Sequence, residues 1–137
     1  MMENADAPIE LFHGYTYSGH PVACAAALAT LDIYQEEGLF DNAAHIAPII
    51  EEAAHSLKGT KHIIDIRNLG VIAALELEPK GNAVGARGFE AMKKAWDLGL
   101  MVRANGDTLA FSPPLIFKEN QVDEMFTKVK KALEQVD

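Results

Sequence analysis

The segment KHIIDIRNLGVIAALELEP, residues 61–79, decides the fold class of this chain. It is rich in β-branched residues, and the alternation in its second half predicts a strand with one face buried throughout and the other, with Ile72, Ala74, Glu76 and Glu78, partly exposed to water. The break at residues 68–70 predicts two short strands, or one long strand interrupted there. The side chains predicted to face the interior are Val71, Ala73, Leu75 and Leu77.

Helical segments flank this strand region on both sides. Upstream, the sequence predicts one helix from Pro21 to near Gly38 and another over residues 39–59, which can kink at Pro48. Downstream it predicts a helix over residues 89–99, strands over 100–104 and 108–112, and a final helix. The expected fold is α/β (α+β), with helices packed on one side of a small, mostly antiparallel sheet.

The first and last helices differ in their apolar pattern. The last has Asn120 as its predicted N-cap, and a regular apolar face formed by Val122, Met125, Phe126, Val129, Leu133 and Val136. The first has a face of small residues, so we expect it to be buried or to lie at an interface. Cys24, on that helix, is predicted to be a packed small hydrophobe rather than a reactive thiol.

The composition excludes several classes of function. The 137 residues suit one domain, and 12 Lys and Arg against 20 Asp and Glu give a net charge of −8. Because the basic residues are scattered, binding to nucleic acid or to an anionic membrane surface is not expected. The apolar run at 22–31 is too short to span a bilayer, the amino terminus is acidic, and the one cysteine has no partner. We therefore expect a soluble, untargeted cytoplasmic protein.

Known catalytic motifs are mostly missing. The five histidines lack the spacing of metal ligands, and no Gly-x-Ser-x-Gly elbow is present. The glycine-rich segment KGNAVGARG, residues 80–88, lacks the Lys-Ser/Thr ending of a phosphate-binding loop. It is predicted to be a mobile surface connection.

The segment HGYTYSGHP, residues 13–21, is the best candidate for a ligand site. Gly14 and Gly19 allow close approach, Thr16 and Ser18 carry hydroxyls, and the segment leads into the positive end of a helix. These features suit a phosphate site. The alternative is an ordinary capping loop, in which Ser18 satisfies the free amides of the helix.

Three segments carry a resemblance to a known family. They are HGYTYSGHPVACAAALATLDIY at 13–34, GLMVRANGDTLAFSPPLI at 99–116 and ENQVDEMFTKVKKAL at 119–133. Together they resemble the C-terminal part of class III pyridoxal-phosphate-dependent aminotransferases, especially the omega-amino acid:pyruvate (beta-alanine:pyruvate) branch. The resemblance extends from residue 3 to the end of the chain.

This resemblance implies a fold and a set of site residues. Such enzymes are fold-type I dimers, so residues 1–20 would form an extended arm with a phosphate-contacting loop, and residues 21–137 the C-terminal small domain with its leading interface helix. Thr16 would reach the cofactor phosphate of the partner subunit, with Tyr15 beside it. Arg103 would meet the substrate carboxylate, which suits a guanidinium, although its sequence context alone indicates a surface charge at a strand end. Residues 112–115, Ser-Pro-Pro-Leu, resemble the rigid turn before the last helix.

One departure from the family limits what this chain is expected to do. The family's Schiff-base lysine and the acid that faces the pyridine nitrogen lie upstream of the HGYTYSGHP motif, and no lysine here matches that position. We expect the chain alone to be inactive and to bind no pyridoxal phosphate, and to need a large domain or a second subunit as partner to act on keto acid and amine substrates. The alternatives are a non-enzymatic interaction module and a small amino-acid-binding regulatory domain that uses Arg103.

Overall fold

The computed structural model describes residues 15–137. It confirms the predicted order of elements, with two strands rather than one in the segment at 61–79. The elements are α1 (Pro21–Glu36), α2 (Leu39–His55), β1 (Ile63–Leu69), β2 (Ile72–Leu77), α3 (Ala86–Asp97), β3 (Arg103–Asn105), β4 (Thr108–Phe111) and α4 (Glu119–Leu133). The third strand is shorter than predicted and begins at Arg103 rather than residue 100.

The four strands form one antiparallel sheet in the order β1-β2-β4-β3. Two hairpins build it, β1–β2 and β3–β4, and α3 lies in the connection between them. The hairpins join through β2 and β4, so β1 and β3 are the edge strands. In one row across the sheet, Arg67 pairs with Ala74, Ala74 with Ala110, and Ala110 with Arg103.

The core lies between one face of this sheet and the helices α2, α3 and α4. The alternation in β2 is confirmed, since Ala73, Leu75 and Leu77 are buried, and Val71 just before the strand is partly buried. The predicted face of the last helix is buried along its whole length. The sheet therefore has the helices on one side, as expected from the sequence.

The N-cap predicted for the last helix is wrong. Asn120 lies inside the first turn of α4, and Lys118 is the N-cap residue. The side-chain oxygen of Gln121 accepts the amide of Lys118 at 2.9 Å. The side chain of Asn42 also donates to the carbonyls of Leu115 and Phe117, which holds the segment leading into α4. The start of this helix thus depends on Gln121 and on a distant residue of α2.

The prediction of a surface connection over residues 80–88 is wrong for the last residues of that range. Helix α3 begins at Ala86, three residues earlier than predicted, and Arg87 and Gly88 are buried. Gly88 is buried because the turn between β3 and β4 lies against this end of the helix, and the side chain of Arg87 is buried against Glu78 and Asp137.

Helix α1 begins at Pro21 as predicted, but no residue of it is buried. Its main neighbour is α2, through contacts that include the edge-to-face rings of Tyr34 and Phe40. Cys24 is exposed, so the prediction that it packs is wrong within this chain, because no other described element covers that part of α1. No helix among residues 15–137 is both long and apolar enough to cross a membrane.

Candidate functional site

The described part of the opening motif forms a tight turn. The amide of Ser18 donates to the carbonyl of Tyr15 at 2.9 Å, and the Ser18 hydroxyl accepts the amide of Tyr15 at 2.9 Å. Tyr15 and Thr16 are exposed at this turn, while His13 and Gly14 of the same motif lie outside the described residues. The turn therefore presents Thr16 and Tyr15 at a surface just ahead of α1.

The amino end of α1 has no side-chain cap. His20 occupies the N-cap position and makes no capping hydrogen bond. Because the Ser18 hydroxyl is bonded to Tyr15, the alternative in which Ser18 caps the helix is wrong. The amides of Val22 and Ala23 thus lack a side-chain acceptor among residues 15–137, at the end of the helix where the dipole favours an anion.

Arg103 begins the edge strand β3, and its side chain is exposed. Its guanidinium makes no hydrogen bond or ion pair with another residue in the described part of the chain. Arg67, at the other end of the same row, differs: its guanidinium binds the carboxylates of Glu76 and Asp65, and these contacts raise its pKa. Of the two arginines, Arg103 is the one available for an external acid.

An open, mostly apolar cavity of about 420 Å³ adjoins Arg103. Its walls include Met101 and Phe117, and the two prolines that follow β4. The Pro113-Pro114 pair restricts the backbone at this point, in agreement with the rigid turn expected there. A ligand whose carboxylate pairs with Arg103 would thus meet apolar surface beside it.

Asp107 is a site residue that no sequence pattern predicted. Its carboxylate is buried and accepts the backbone amides of Gly85 at 2.7 Å and Gly88 at 3.0 Å. Burial opposes ionisation of this group, but the amides of Gly85, Gly88 and Arg87 outweigh it and lower the pKa of Asp107 below its usual value. The only local signal is a pair of glycines, Gly85 at the N-cap and Gly88 in the first turn of the amphipathic helix α3.

A second polar cluster lies where α3 meets the last residues of the chain. Arg87 is buried, donates from Nε to the carbonyl of Asp137 at 3.1 Å and also binds the carbonyl of Glu78. Burial lowers the pKa of the nearby His62, and the charges of Arg87 and Lys61 add to this effect. Among residues 15–137 no group of three or more His, Cys, Asp or Glu side chains could hold a metal ion.

Two separate sites therefore stand out, at elements that are distant in the sequence. One is the turn at Tyr15 and Thr16 before the open end of α1, which suits a phosphate. The other is Arg103 on β3, which suits a carboxylate. The sequence model of one family, described as Aminotransferase class-III, matches residues 2–133.

The chain belongs to the class-III aminotransferases.

Similar proteins agree with this assignment. The chain is 50% identical over 137 residues to an omega-aminotransferase of Caulobacter vibrioides, covering 100% of this chain and 31% of that protein. It is 45% identical over 125 residues to the beta-alanine–pyruvate aminotransferase of Pseudomonas aeruginosa, covering 91% of this chain and 28% of that protein. This class-III aminotransferase chain thus spans about three-tenths of the length of these relatives.

Solved structures show the same fold. A thermostable omega transaminase of Pseudomonas jessenii superposes with a TM-score of 0.82 at 36% identity, over 90% of this chain and 29% of that one. The predicted resemblance to class-III aminotransferases and to the fold of their fold-type I structures is confirmed. The roles of Thr16, Tyr15 and Arg103 stay predictions.

Proposed function

We propose that this chain provides the C-terminal small domain of a pyridoxal-phosphate-dependent omega-amino acid:pyruvate aminotransferase. The enzyme would transfer an amino group from an omega-amino acid or an amine to pyruvate. The observation that carries the proposal is the 50% identity to the Caulobacter omega-aminotransferase along the whole chain. The name of the Pseudomonas aeruginosa relative supports beta-alanine as one type of donor.

Within this proposal, the two sites bind different groups. Thr16, with Tyr15 beside it, holds the coenzyme phosphate of the partner subunit, supported by the hydroxyl of Thr16 and the open end of α1. Arg103 binds the substrate carboxylate, supported by its exposed and unpaired guanidinium. Pyridoxal phosphate, when bound, supplies the electron sink for the transfer.

The residues present fit the phosphate end of the coenzyme and not its aldehyde end. The aldehyde requires a lysine amine, and the turn at residues 15–20 contains no lysine. Several lysines are engaged elsewhere: Lys80 with Glu90, Lys128 with Glu124, and Lys61 with the carbonyl of Val136. We therefore propose that residues 15–137 by themselves neither form an imine nor transfer nitrogen.

The partner in this proposal is the large coenzyme-binding domain, in a homodimeric enzyme. Helix α1 supports it, because an apolar helix with no buried residue requires cover from outside this fold. The boundary at residue 20, between the arm with its loop and the small domain, belongs to the same proposal. So does the cytoplasmic location expected from the lone cysteine.

The test has two arms. In the first, the purified chain is incubated with pyridoxal phosphate, an amine donor and pyruvate; we expect no imine absorbance band and no alanine. Either signal would contradict the proposed inactivity. In the second, the chain is co-expressed with the part of the Caulobacter relative outside the matched region, and alanine formation is expected to appear.

Two variants locate the sites in the reconstituted enzyme. Arg103→Ala should raise the KM for pyruvate, and Thr16→Ala should weaken the binding of pyridoxal phosphate. Arg67→Ala is the matched control, since Arg67 lies in the same row of the sheet and is already neutralised by Glu76 and Asp65. An unchanged KM in Arg103→Ala would refute the carboxylate role.

The exposure of α1 also favours a second candidate, a non-enzymatic interaction module that pairs with a separate chain or with itself. This candidate predicts a dimer or larger species by light scattering, together with binding of a dye that recognises exposed apolar surface. A monomer that binds no dye would contradict it.

A further inference from the structure

The strand that carries Arg103 is a weak element by itself. β3 has three residues, lies at an edge of the sheet and pairs only with β4. Its turn is two residues long, because Asn105 pairs with Thr108, and Gly106 adopts a φ of +59° there. A short edge strand of this kind has few contacts to hold it, so its position depends on what grips its ends.

Helix α3 holds this strand at its start. After Asp97 the chain reverses at Gly99, which has a φ of +74°, and the amide of Leu100 donates back to the carbonyl of Ala95 at 2.9 Å. This is a common glycine-dependent helix end. Three residues beyond Leu100 the strand begins with Arg103.

The amino end of the same helix contacts the other end of the strand, at the turn between β3 and β4. The Asp107 carboxylate accepts the amides of Gly85 and Gly88, and the Asp107 carbonyl accepts the amide of Leu77 at 2.9 Å. At residue 88 the backbone of α3 packs directly against the backbone of the turn. A Cβ at this position would lie 2.2 Å from the carbonyl oxygen of Gly106. The turn thus touches both β2 and α3 without room for a side chain at residue 88.

We propose that Asp107 is a positioning residue for Arg103: by anchoring the β3–β4 turn to the amino end of α3, it keeps the edge strand that carries Arg103 in one place. The proposal rests on the proposed function, in which Arg103 binds the acid group of the substrate. An arginine that binds a carboxylate selectively needs a fixed backbone position, since a displacement of its side chain by about 1 Å weakens such recognition strongly.

Amide hydrogen exchange on the chain of 137 residues tests the anchoring. In Asp107→Asn, the amides of Arg103 and Asn105, which face β4, should exchange about tenfold faster than in the unmodified chain, while those of β1 change much less. Gly88→Ala should give the same local pattern from the helix side of the contact. Asp41→Asn is the matched control, because Asp41 is an exposed acid in the first turn of α2, and it should leave the β3 amides unchanged.

Amide exchange of the unmodified chain measured across a pH series adds a second test. If Asp107 contributed only to general stability, its protonation would not change exchange in β3 selectively. The charged group that acts on Asp107 is Arg87 on α3, while Glu76, which pairs with Thr108 beside the turn, is engaged by Arg67. After correction for intrinsic exchange, the β3 amides should speed up selectively as pH falls through the lowered pKa of Asp107. In Asp107→Asn this selective rise should be absent.

Equal acceleration of β1 and β3 in Asp107→Asn would overturn the proposal, since Asp107 would then act on global stability alone. Unchanged exchange in β3 would overturn it as well. If the Asn variant does not fold, the pH series decides. The exchange experiment uses neither coenzyme nor substrate, so a negative result would not contradict the proposed transamination. Conversely, an inactive reconstituted enzyme would not contradict the anchoring of β3 by Asp107.

Discussion

Helices α1 and α4 have almost the same length, 16 and 15 residues, but opposite surroundings. α4 concentrates its apolar side chains on one stripe and buries six residues, whereas α1 is apolar around its circumference and buries none. On α1, the exposed fractions of Val22, Leu28 and Leu31 are 71%, 64% and 59%. A regular stripe is enough for burial within this fold, but apolar content without a stripe must be covered by another surface.

The largest expected effect comes from removing the same side chain in both helices. Leu133→Ala on α4 deletes a fully buried side chain and should lower the free energy of unfolding by about 2–5 kcal/mol. Leu28→Ala on α1 should change it by less than about 0.5 kcal/mol, because Leu28 is exposed in this chain. Urea denaturation measures both. Similar losses for the two variants would show that α1 is packed in the isolated chain.

The amino ends of α1 and α3 extend the comparison, since α3 is capped by Asp107 and α1 has no side-chain cap. Asp107→Asn should cost about 1–3 kcal/mol at neutral pH, because the buried amides lose a charged acceptor. A carboxyl with a lowered pKa contributes stability above its unfolded pKa, near 3.9, and loses it as pH falls through the folded value. The difference between the two proteins should therefore shrink in acid, as measured by urea denaturation across pH.

A cap introduced at α1 should have a smaller, local effect. His20→Asp places a carboxylate at the N-cap of an uncapped helix and should stabilise α1 by about 0.5–1 kcal/mol. Amide exchange in α1 should slow by a few fold, while exchange in α4 should not change. His20→Asn separates the cap from the charge, because it offers an acceptor without the carboxylate. No slowing in either variant would mean that these amides already have an acceptor.

The smallest effect is expected at His62, which has a φ of +72°. Burial first, and then Arg87 and Lys61, lower its pKa, so the unfolded chain takes up a proton near pH 6.5 while the folded chain does so only at lower pH. Stability should fall slightly as pH drops below 6.5 toward the folded pKa. His62→Asn keeps a residue that tolerates positive φ and removes the titration, so its melting temperature should depend less on pH over this range. Parallel pH curves for the two proteins would contradict this account.

The sequence predicted the elements whose signal is periodic. The alternation of Ala73, Leu75 and Leu77 and the stripe on α4 are local patterns, and the structure confirms both. It did not predict the burial of Gly88 and Arg87, because Gly88 contacts Asp107 and Arg87 contacts Asp137, both distant along the chain. Periodicity within one element carries no information about such a contact.

For the candidate site as well, local sequence predicted the secondary structure around the residues but not their contacts. That Thr16 precedes a helix and that Arg103 lies in a strand could be predicted from local sequence, although the strand was predicted to begin three residues earlier. The resemblance, and not any spacing, suggested what each would bind. Of the two alternatives expected for α1, burial within the described chain is wrong and placement at an interface stays a prediction, because apolar content predicts that a surface is covered without specifying which part of a protein covers it.

The short connection between α1 and α2 has a consequence for biosynthesis. Only Glu37 and Gly38 separate the two helices, and apart from α1 itself every element that α2 packs against comes later in the chain. The ribosome therefore exposes α1 before the fold downstream can form, and within residues 15–137 the completed fold leaves its apolar surface exposed. Until another surface covers this helix, it is where we expect chaperone binding or aggregation of the nascent protein to begin.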